Sequence, residues 1–451
     1  MTTTSMQFGQ QAISVVLNEG QLPAKLSTDA SGNTVLLGPD GVEHSTLGSA
    51  VFTVGAGGRH STIDSAMDAA NTSFSTVVAS GSNETFTAGD RIHQFTGTPF
   101  ASVNWAANLY MRIPGVTPWL SVTAWNSNML KFKYPIAVTH AAADWELAVL
   151  RKNLVLVLPG EHESAGSLPM PPNTTVAGLN RDACSLHLTV GIDFFLPSAE
   201  ANDYGFANLG LSLRVGAGNQ SGLDNAWLYH LKMGREYFPT QSFVEGCKII
   251  SGWDLIGLGG GDIFNPGTSL RFERNIIDGE WNGLSMPQMR SLIVRDNIIK
   301  GSTAYVGTAV HIAGQPNLLQ MHQTFGTTAY AELDIICERN TIEYFNNGVD
   351  DPAVAIRFAF PPHADTRLII RDNNIRVESS AGNTDAIGIS INGVPAANLV
   401  SGNTFHLVKA GTGNAYDIST DSSANNVRLG AGNHSLLTAT LTTNGTNIAT
   451  L

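Results

Sequence analysis

The chain has 451 residues, of which 14% are charged, and its formal net charge is −12. An acidic chain without basic runs is not expected to bind nucleic acid or an anionic membrane. No run of 18 apolar residues occurs, so no membrane insertion is expected. The length allows a large core and several domains, and 46 glycines are typical of a turn-rich all-β protein.

Residues 1–50 are predicted to be a separate first segment. Weak apolar alternation over residues 12–17 and turn signals at 31–33 and 38–41 predict short strands. A segment this small buries little surface alone, so it either packs on a neighbouring chain or a larger assembly or is a flexible leader. Its start has no basic region followed by an apolar run, so no cleaved export signal is expected.

Residues 51–72 are predicted to form a first strand and a capping helix. Apolar residues at i, i+3, i+4 and i+7 from Ile63 to Ala70 give the helix one apolar face. Ser61 is the predicted N-cap. A helix placed here would cover the unpaired strand edges at the end of a stack of strands.

Residues 73–148 contain four tryptophans and alternating strand patterns, which predict an inserted β-domain. Tryptophan rings are either a platform on which sugars stack or the core of this domain, and the core interpretation is favoured. The four tryptophans are Trp105, Trp119, Trp125 and Trp145.

From residue 268 to 435 one short phrase recurs: a charged residue or glycine, then asparagine, then isoleucine or phenylalanine close behind. The last copy, at Asn433, is incomplete. A unit of roughly 20–45 residues with a fixed phrase indicates a repeat architecture. The asparagines are Asn275, Asn297, Asn340, Asn373, Asn403 and Asn433.

Short apolar, β-branched runs before several of these asparagines, at residues 292–294, 333–336 and 368–370, predict strands, and no helical pattern separates them. An all-β parallel β-helix over residues 149–435, followed by a strand tail at 436–451, fits this pattern. Each asparagine is predicted to adopt the left-handed turn conformation and to hydrogen-bond the asparagine of the next coil. Scattered turn asparagines in a β-sandwich are the alternative.

Three cysteines, Cys184, Cys247 and Cys337, lie far apart in or beside strand-like runs. They are predicted to be buried apolar residues and not a disulfide or a metal site.

Two segments carry a resemblance to a known family. They are the predicted helix at residues 61–70, Ser-Thr-Ile-Asp-Ser-Ala-Met-Asp-Ala-Ala, and the later residues 156–163, Leu-Val-Leu-Pro-Gly-Glu-His-Glu. This order is similar to the first coils of pectate-lyase-like β-helix proteins, which many bacteriophage tailspikes share. The resemblance covers residues 51–72 and 149–435. It implies a right-handed, single-stranded parallel β-helix and a homotrimer in the phage tail that binds a host surface polysaccharide. It does not fix an activity, because the superfamily includes lyases, hydrolases, esterases and inert structural proteins.

No Gly-x-Ser-x-Gly, His-Glu-x-x-His or Cys-x-x-Cys motif occurs, so neither a metal nor a cofactor is expected. A polysaccharide hydrolase on this fold would use two carboxylates, about 5–5.5 Å apart if retaining and about 6.5–9.5 Å if inverting. Residues one coil apart stack, so Asp254 is expected near Asp278 or Glu280. Solvated surface carboxylates are the alternative. The full candidate cluster is Asp254, Asp278, Glu280 and Asp262 as catalytic residues, with Trp253 and Trp281 as substrate-binding residues.

A lyase would instead need a base and a charge neutraliser. His311 and His322 lie near a predicted long loop, residues 314–331, and are predicted to contact substrate, with Arg290 or Arg295 as neutraliser.

Three functions follow from these observations. The first is a tailspike-like virion protein that binds, and in one version depolymerises, a host polysaccharide, and that contacts other virion proteins through residues 1–50. The second is a non-catalytic structural protein of the virion. The third is a free polysaccharide lyase or hydrolase.

Overall fold

The computed structural model describes the chain from residue 2 to residue 451 with gaps. The described ranges are 2–8, 11–17, 25–28, 34–37, 43–45, 49–73, 75–103, 109–114, 119–132, 136, 139–150, 152–164, 168–170, 174–188, 195–197, 204–207, 210–213, 241–251, 254–257, 265–280, 282–286, 289–303, 317–322, 333–346, 352–359, 366–379, 385–409, 412–420, 425–438, 440–445 and 447–451.

One coil shows how the chain is built. Asn265–Glu273 is followed, after a short turn, by Ile276–Glu280 and then by Asn282–Met286. The chain then returns to Met289–Arg295, which pairs in parallel with Asn265–Glu273. This coil thus adds one strand to each of three parallel sheets, and the predicted parallel β-helix is confirmed.

The three parallel sheets are called sheet I, sheet II and sheet III. Sheet I consists, in stacking order, of Ser49–Val54, Lys152–Val157, Thr174–Gly178, Tyr204–Ala207, Gln241–Glu245, Asn265–Glu273, Met289–Arg295, Leu333–Glu338, Thr366–Arg371, Ala397–Ser401, Val427–Leu429 and Ile448–Thr450. Sheet II consists of Gly160–Ser164, Cys184–Leu188, Gly210–Leu213, Lys248–Ser251, Ile276–Glu280, Ile298–Thr303, Thr341–Asn346, Asn374–Ser379, Thr404–Lys409 and His434–Ser435. Sheet III consists of Asp254–Gly257, Asn282–Met286, Asn317–His322, Ala353–Ala359, Ala386–Ile391, Ala415–Thr420 and Thr443–Asn444.

Other elements lie outside these sheets. Leu168–Met170 and Phe195–Pro197 form a short parallel pair, and Ile63–Ser73 is an α-helix. The first segment forms an antiparallel pair, Thr2–Phe8 with Gln11–Leu17, and a three-stranded antiparallel sheet of Lys25–Thr28, Thr34–Leu37 and Glu43–Ser45. The insert sheet is antiparallel, in the order Ser75–Phe86, His140–Leu150, Leu109–Arg112, Leu120–Asn126, Met129–Phe132 and Ile92–Gln94.

The interior of the coil stack is a continuous apolar column. In sheet I, Val244, Phe272, Val294, Cys337 and Ile370 occupy one inward-facing register position on successive coils and are fully buried. Stacking equivalent positions in this way lets each coil bury apolar surface against the next. The cysteines are free and buried, as predicted, and burial raises the pKa of the Cys337 thiol to about 12.

The recurring asparagines form a buried hydrogen-bonded column along the stack, here called the asparagine column. The Oδ1 atom of Asn340 accepts hydrogen bonds from the backbone N–H of Asn297 at 3.0 Å and from its Nδ2 at 2.9 Å. Asn373 accepts the same two bonds from Asn340, and Asn403 accepts them from Asn373. The predicted amide ladder is confirmed, and the incomplete copy at Asn433 belongs to it.

The left-handed turn conformation lies one residue before each of these asparagines, so its assignment to the asparagine itself was wrong. Arg274, Asp296, Arg339 and Asp372 have φ between 53° and 57°, and Gly402 has φ 67°. Asparagine is buried because its side chain satisfies backbone groups of two coils, while the residue before it turns the chain toward sheet II. The recurring charged residue or glycine of the sequence phrase marks this turn position.

Charged side chains beside the asparagine column also pair from coil to coil. Arg371 Nε donates to Glu338 Oε2 at 2.7 Å, and Arg339 Nη1 donates to Glu338 Oε1 at 2.9 Å. Arg339 also binds both carboxylate oxygens of Asp296, at 2.8 and 3.0 Å. Burial by itself raises the pKa of Glu338, but the Arg371 hydrogen bond and the charges of Arg339 and Arg371 outweigh it and lower that pKa.

The helix Ile63–Ser73 packs its apolar residues into the main core, against Phe52 and Val155. Its N-cap is Thr62, whose Oγ1 accepts the Ser65 N–H at 3.3 Å, so the prediction of Ser61 was wrong by one residue. Among the residues described, no helix is both long and apolar enough to cross a membrane.

The predicted loop at 314–331 was partly wrong, because Asn317–His322 is a strand of sheet III. Its Leu319 pairs with Leu284 on one side and with Ile356 on the other. Apolar partners on both neighbouring coils favour a strand over the loop that the asparagine spacing suggested.

Candidate functional site

The predicted catalytic carboxylates lie on two different sheets of the stack. Asp254 begins a strand of sheet III and pairs with Asn282. Asp278 lies in sheet II, where its register partners are Ile250 and Lys300. The backbone register therefore does not bring Asp254 and Asp278 together.

Two more candidates have a described backbone. Glu280 is in register with Ser302, and His322 is in register with Ala359. The side chains of these and of the two aspartates are outside the described part of the chain, so their catalytic or binding roles stay predictions. Trp253, Asp262, Trp281 and His311 lie outside the described residues altogether.

A groove of about 830 Å³ lies on the insert sheet, over the paired strands Ser75–Phe86 and His140–Leu150 and beside Ile113 and Pro114. Its volume lies within the range of small-ligand sites. The residues that line it, here called the insert groove, are Ser80, Gly81, Ser82, Ile113, Pro114, Thr139, His140, Ala141, Ala143, Asp144, Trp145 and Glu146.

The floor of the insert groove is a tight contact between a glycine and a tryptophan. A Cβ atom added at Gly81 would lie 2.7 Å from Cζ2 and 2.8 Å from Nε1 of Trp145. Trp145 is 3% exposed and stacks edge-on against Phe95, with ring centroids 4.8 Å apart. Trp119 is equally buried. These two rings are core residues, as the favoured interpretation predicted, and they offer no face on which a sugar could stack.

One groove carboxylate is held in place. Arg112 Nε donates to Glu146 Oε2 at 2.9 Å, and the same guanidinium lies 4.4 Å from the ring centroid of Trp119. The arginine is thus fixed from both sides, and Glu146 presents its remaining lone pairs in a defined direction. Asp144, two residues earlier on the same strand, is exposed at the groove.

The strands of the groove are irregular where they meet. Their pairing shifts register between His140 and Ala143 and again between Ala143 and Trp145. Ala142 has φ 50° and Asn83, on the opposite strand, has φ 61°. Bulges of this kind redirect side chains and are frequent next to binding sites. Here they place Asp144 and Glu146 on the wall of one groove.

Within the described residues, no group of three or more histidine, cysteine, aspartate or glutamate side chains is arranged to hold a metal ion. The insert groove offers hydroxyl groups, an imidazole, two carboxylates and small apolar surfaces. Such a lining can accept hydrogen bonds from a polyhydroxylated ligand. Sequence reasoning missed the groove, and a glycine within a strand-like run, Gly81, was a weak signal for the close approach of another group.

No family model and no characterised protein sequence matches the chain. Several solved structures are similar to it. The tailspike of Pseudomonas phage phi297 aligns at 11% identity, with 79% of this chain and 63% of that chain covered and a TM-score of 0.29. The tailspike of Pseudomonas phage LKA1 aligns at 10% identity, covering 80% and 64%, with a TM-score of 0.31.

The catalytic unit of a GH87 alpha-1,3-glucanase from Streptomyces thermodiastaticus aligns at 10% identity, covering 80% of this chain and 88% of that one, with a TM-score of 0.25. The chain spans 63–64% of the length of the two tailspikes. All three TM-scores are low, and the fold therefore rests on the strand register of this chain. That register defines a parallel β-helix protein with an antiparallel insert sheet.

Proposed function

We propose that the protein is a tailspike-like component of a phage virion that binds a host surface polysaccharide. The observation that supports this best is the insert groove, a cavity of about 830 Å³ with a polar, hydroxyl-accepting lining beside a long coil stack. A stack in which every coil hydrogen-bonds its neighbours is stiff, so it holds a binding surface in a fixed place.

The proposal includes a homotrimer in the phage tail that meets other virion proteins through residues 1–50. Two adjacent exposed leucines support an assembly contact: Leu436 and Leu437 are 55% and 57% exposed. Light scattering on the purified chain tests the trimer, whose mass would be three times the 47.8 kDa of one chain.

Binding is tested with the full chain and a broad panel of purified bacterial capsules and lipopolysaccharides. At least one polysaccharide is expected to bind and to be displaced by its own fragments. If no polysaccharide of the panel binds and none releases reducing ends, the proposal is contradicted. That result would favour a purely structural virion protein.

Cleavage is a second readout of the same panel. If reducing ends appear, at least one of Asp254→Asn, Asp278→Asn and Glu280→Gln is expected to abolish their release, because a glycosidase needs both carboxylates of its pair. Full cleavage by all three variants would place the catalytic residues elsewhere. A new double bond in the product would indicate a lyase instead of a hydrolase.

A further inference from the structure

We propose that the insert groove is a saccharide site that takes uncharged or amino-bearing sugar residues and excludes acidic ones. The inference rests on the proposed function for the class of ligand, and it adds where that ligand binds and which sugars it contains. It is carried by two features of the groove: its charge and its fixed hydrogen-bond acceptor.

The charge of the groove selects against anions. Of the twelve residues that line it, Asp144 and Glu146 are acidic and none is lysine or arginine. The nearby Arg112 is engaged with Glu146 and with the Trp119 ring. A uronate, sialate or phosphate placed here would meet two carboxylates and, among the described lining residues, no basic side chain except the imidazole of His140. Such juxtaposition of like charge disfavours binding.

The acceptors of the groove suit hydroxyl and ammonium groups. Glu146 is half-buried, with its side chain 28% exposed, and its salt bridge to Arg112 orients it before any ligand arrives. An acceptor that is already oriented loses little freedom on binding. Asp144 is exposed and has no cation paired with it among the ion pairs of the described residues, so it offers a carboxylate to a sugar hydroxyl or amine.

The experiment uses the full chain and three oligosaccharide probes of similar length: a neutral dextran fragment, a glucosamine hexamer in its protonated state and a galacturonate hexamer. Calorimetry is expected to detect the neutral probe, the amino probe or both, with the galacturonate at least about tenfold weaker. Asp144→Asn is expected to weaken the glucosamine probe by at least about tenfold, and the neutral probe by less than about threefold.

A second variant blocks the groove from an exposed position, so that a loss of binding is not caused by a disturbed core. Ala141 is exposed on the groove wall, so Ala141→Trp fills the groove without entering the core. It is expected to abolish binding of the probes, whereas Ala101→Trp, the same change at an exposed position outside the groove, is expected to have no effect.

The inference is overturned if no probe binds, if galacturonate binds as tightly as the other probes, or if Ala141→Trp binds like the wild type. The proposed function fails separately. A host polysaccharide that still binds the Ala141→Trp variant places its site elsewhere but leaves the function intact. If the probes bind through the groove but no host polysaccharide binds, the saccharide site is supported and the proposed function is contradicted.

Discussion

Replacing Asn373 by alanine is expected to lower the free energy of unfolding by about 3 kcal/mol, because it interrupts the asparagine column. Asn373 is 2% exposed, and its side-chain amide takes part in four N–H···O hydrogen bonds. Its Oδ1 accepts from the backbone N–H and the Nδ2 of Asn340, and its Nδ2 donates to the Cys337 carbonyl at 3.0 Å and to Asn403 Oδ1 at 2.9 Å. Alanine removes the acceptor of the Asn340 backbone N–H and the amide donor to the Cys337 carbonyl, and each buried group left unpaired costs about 1–3 kcal/mol before the coils relax. Asn340 Nδ2 keeps its bond to the Val294 carbonyl, and Asn403 Oδ1 keeps the backbone N–H of residue 373.

The matched control is the next residue. Asn374 is exposed on sheet II, so Asn374→Ala is expected to change the free energy of unfolding by less than about 0.5 kcal/mol. Urea unfolding of both variants and the wild type gives the comparison. Equal effects of the two substitutions would show that the column contributes no more than a surface asparagine. Hydrogen exchange of the sheet I amides would locate the loss, because coils of a repeat protein need not unfold together.

Replacing Glu338 by glutamine is expected to destabilise the protein by about 2 kcal/mol at neutral pH, through loss of charge-assisted hydrogen bonds. Glu338 is 4% exposed and is bound by both Arg339 and Arg371. Glutamine preserves the shape of the side chain but not its charge. The two arginines are about half exposed and turn to solvent, which limits the loss.

The effect of this substitution depends on pH in a defined direction. The folded-state pKa of Glu338 lies below its ordinary value of 4.5, so the unfolded chain takes up the proton first as the solution is acidified. The contribution of Glu338 is therefore complete above about pH 4.5 and is lost as the pH falls through the folded-state pKa. The difference between wild type and Glu338→Gln is expected to shrink over that interval.

Comparison of the two proteins at each pH isolates Glu338 from other groups. The Arg339 hydrogen bond lowers the pKa of Asp296, so its contribution to the free energy of unfolding is also lost in acid. Burial raises the pKa of Asp417, so protonation of that residue in acid favours the folded state instead. Glu378→Gln, which removes a contact of 3.5 Å to Arg376, is the surface control and is expected to cost less than about 0.5 kcal/mol at neutral pH. A difference for Glu338→Gln that grows in acid would contradict this assignment.

The coil stack was predictable because its signal is local and repeated. Six recurring asparagines, several of them with β-branched runs before them, define strands and turns without knowledge of any distant contact. The same local signal could not show that the left-handed residue precedes the asparagine, since an arginine such as Arg274 rarely adopts that conformation. Nor could it show that Cys247 continues the column by donating its N–H to Asn275 Oδ1 at 2.9 Å.

The insert groove was not predictable because it depends on pairing between distant residues. Gly81 faces Trp145, 64 positions later, and Glu146 is fixed by Arg112, 34 positions earlier. Register shifts around Ala143 decide which side chains line the wall, and nothing in the local pattern encodes them. The sequence instead drew attention to the acidic cluster at residues 253–281, whose catalytic role stays a prediction.

The insert groove as a saccharide site is the central claim, and a crystal structure of the full chain soaked with the probe that binds most tightly in solution tests it most directly. The predicted result is a sugar residue over Gly81, within hydrogen-bond distance of Asp144 or Glu146. A sugar bound only along sheets I to III, with the insert groove empty, would contradict the claim.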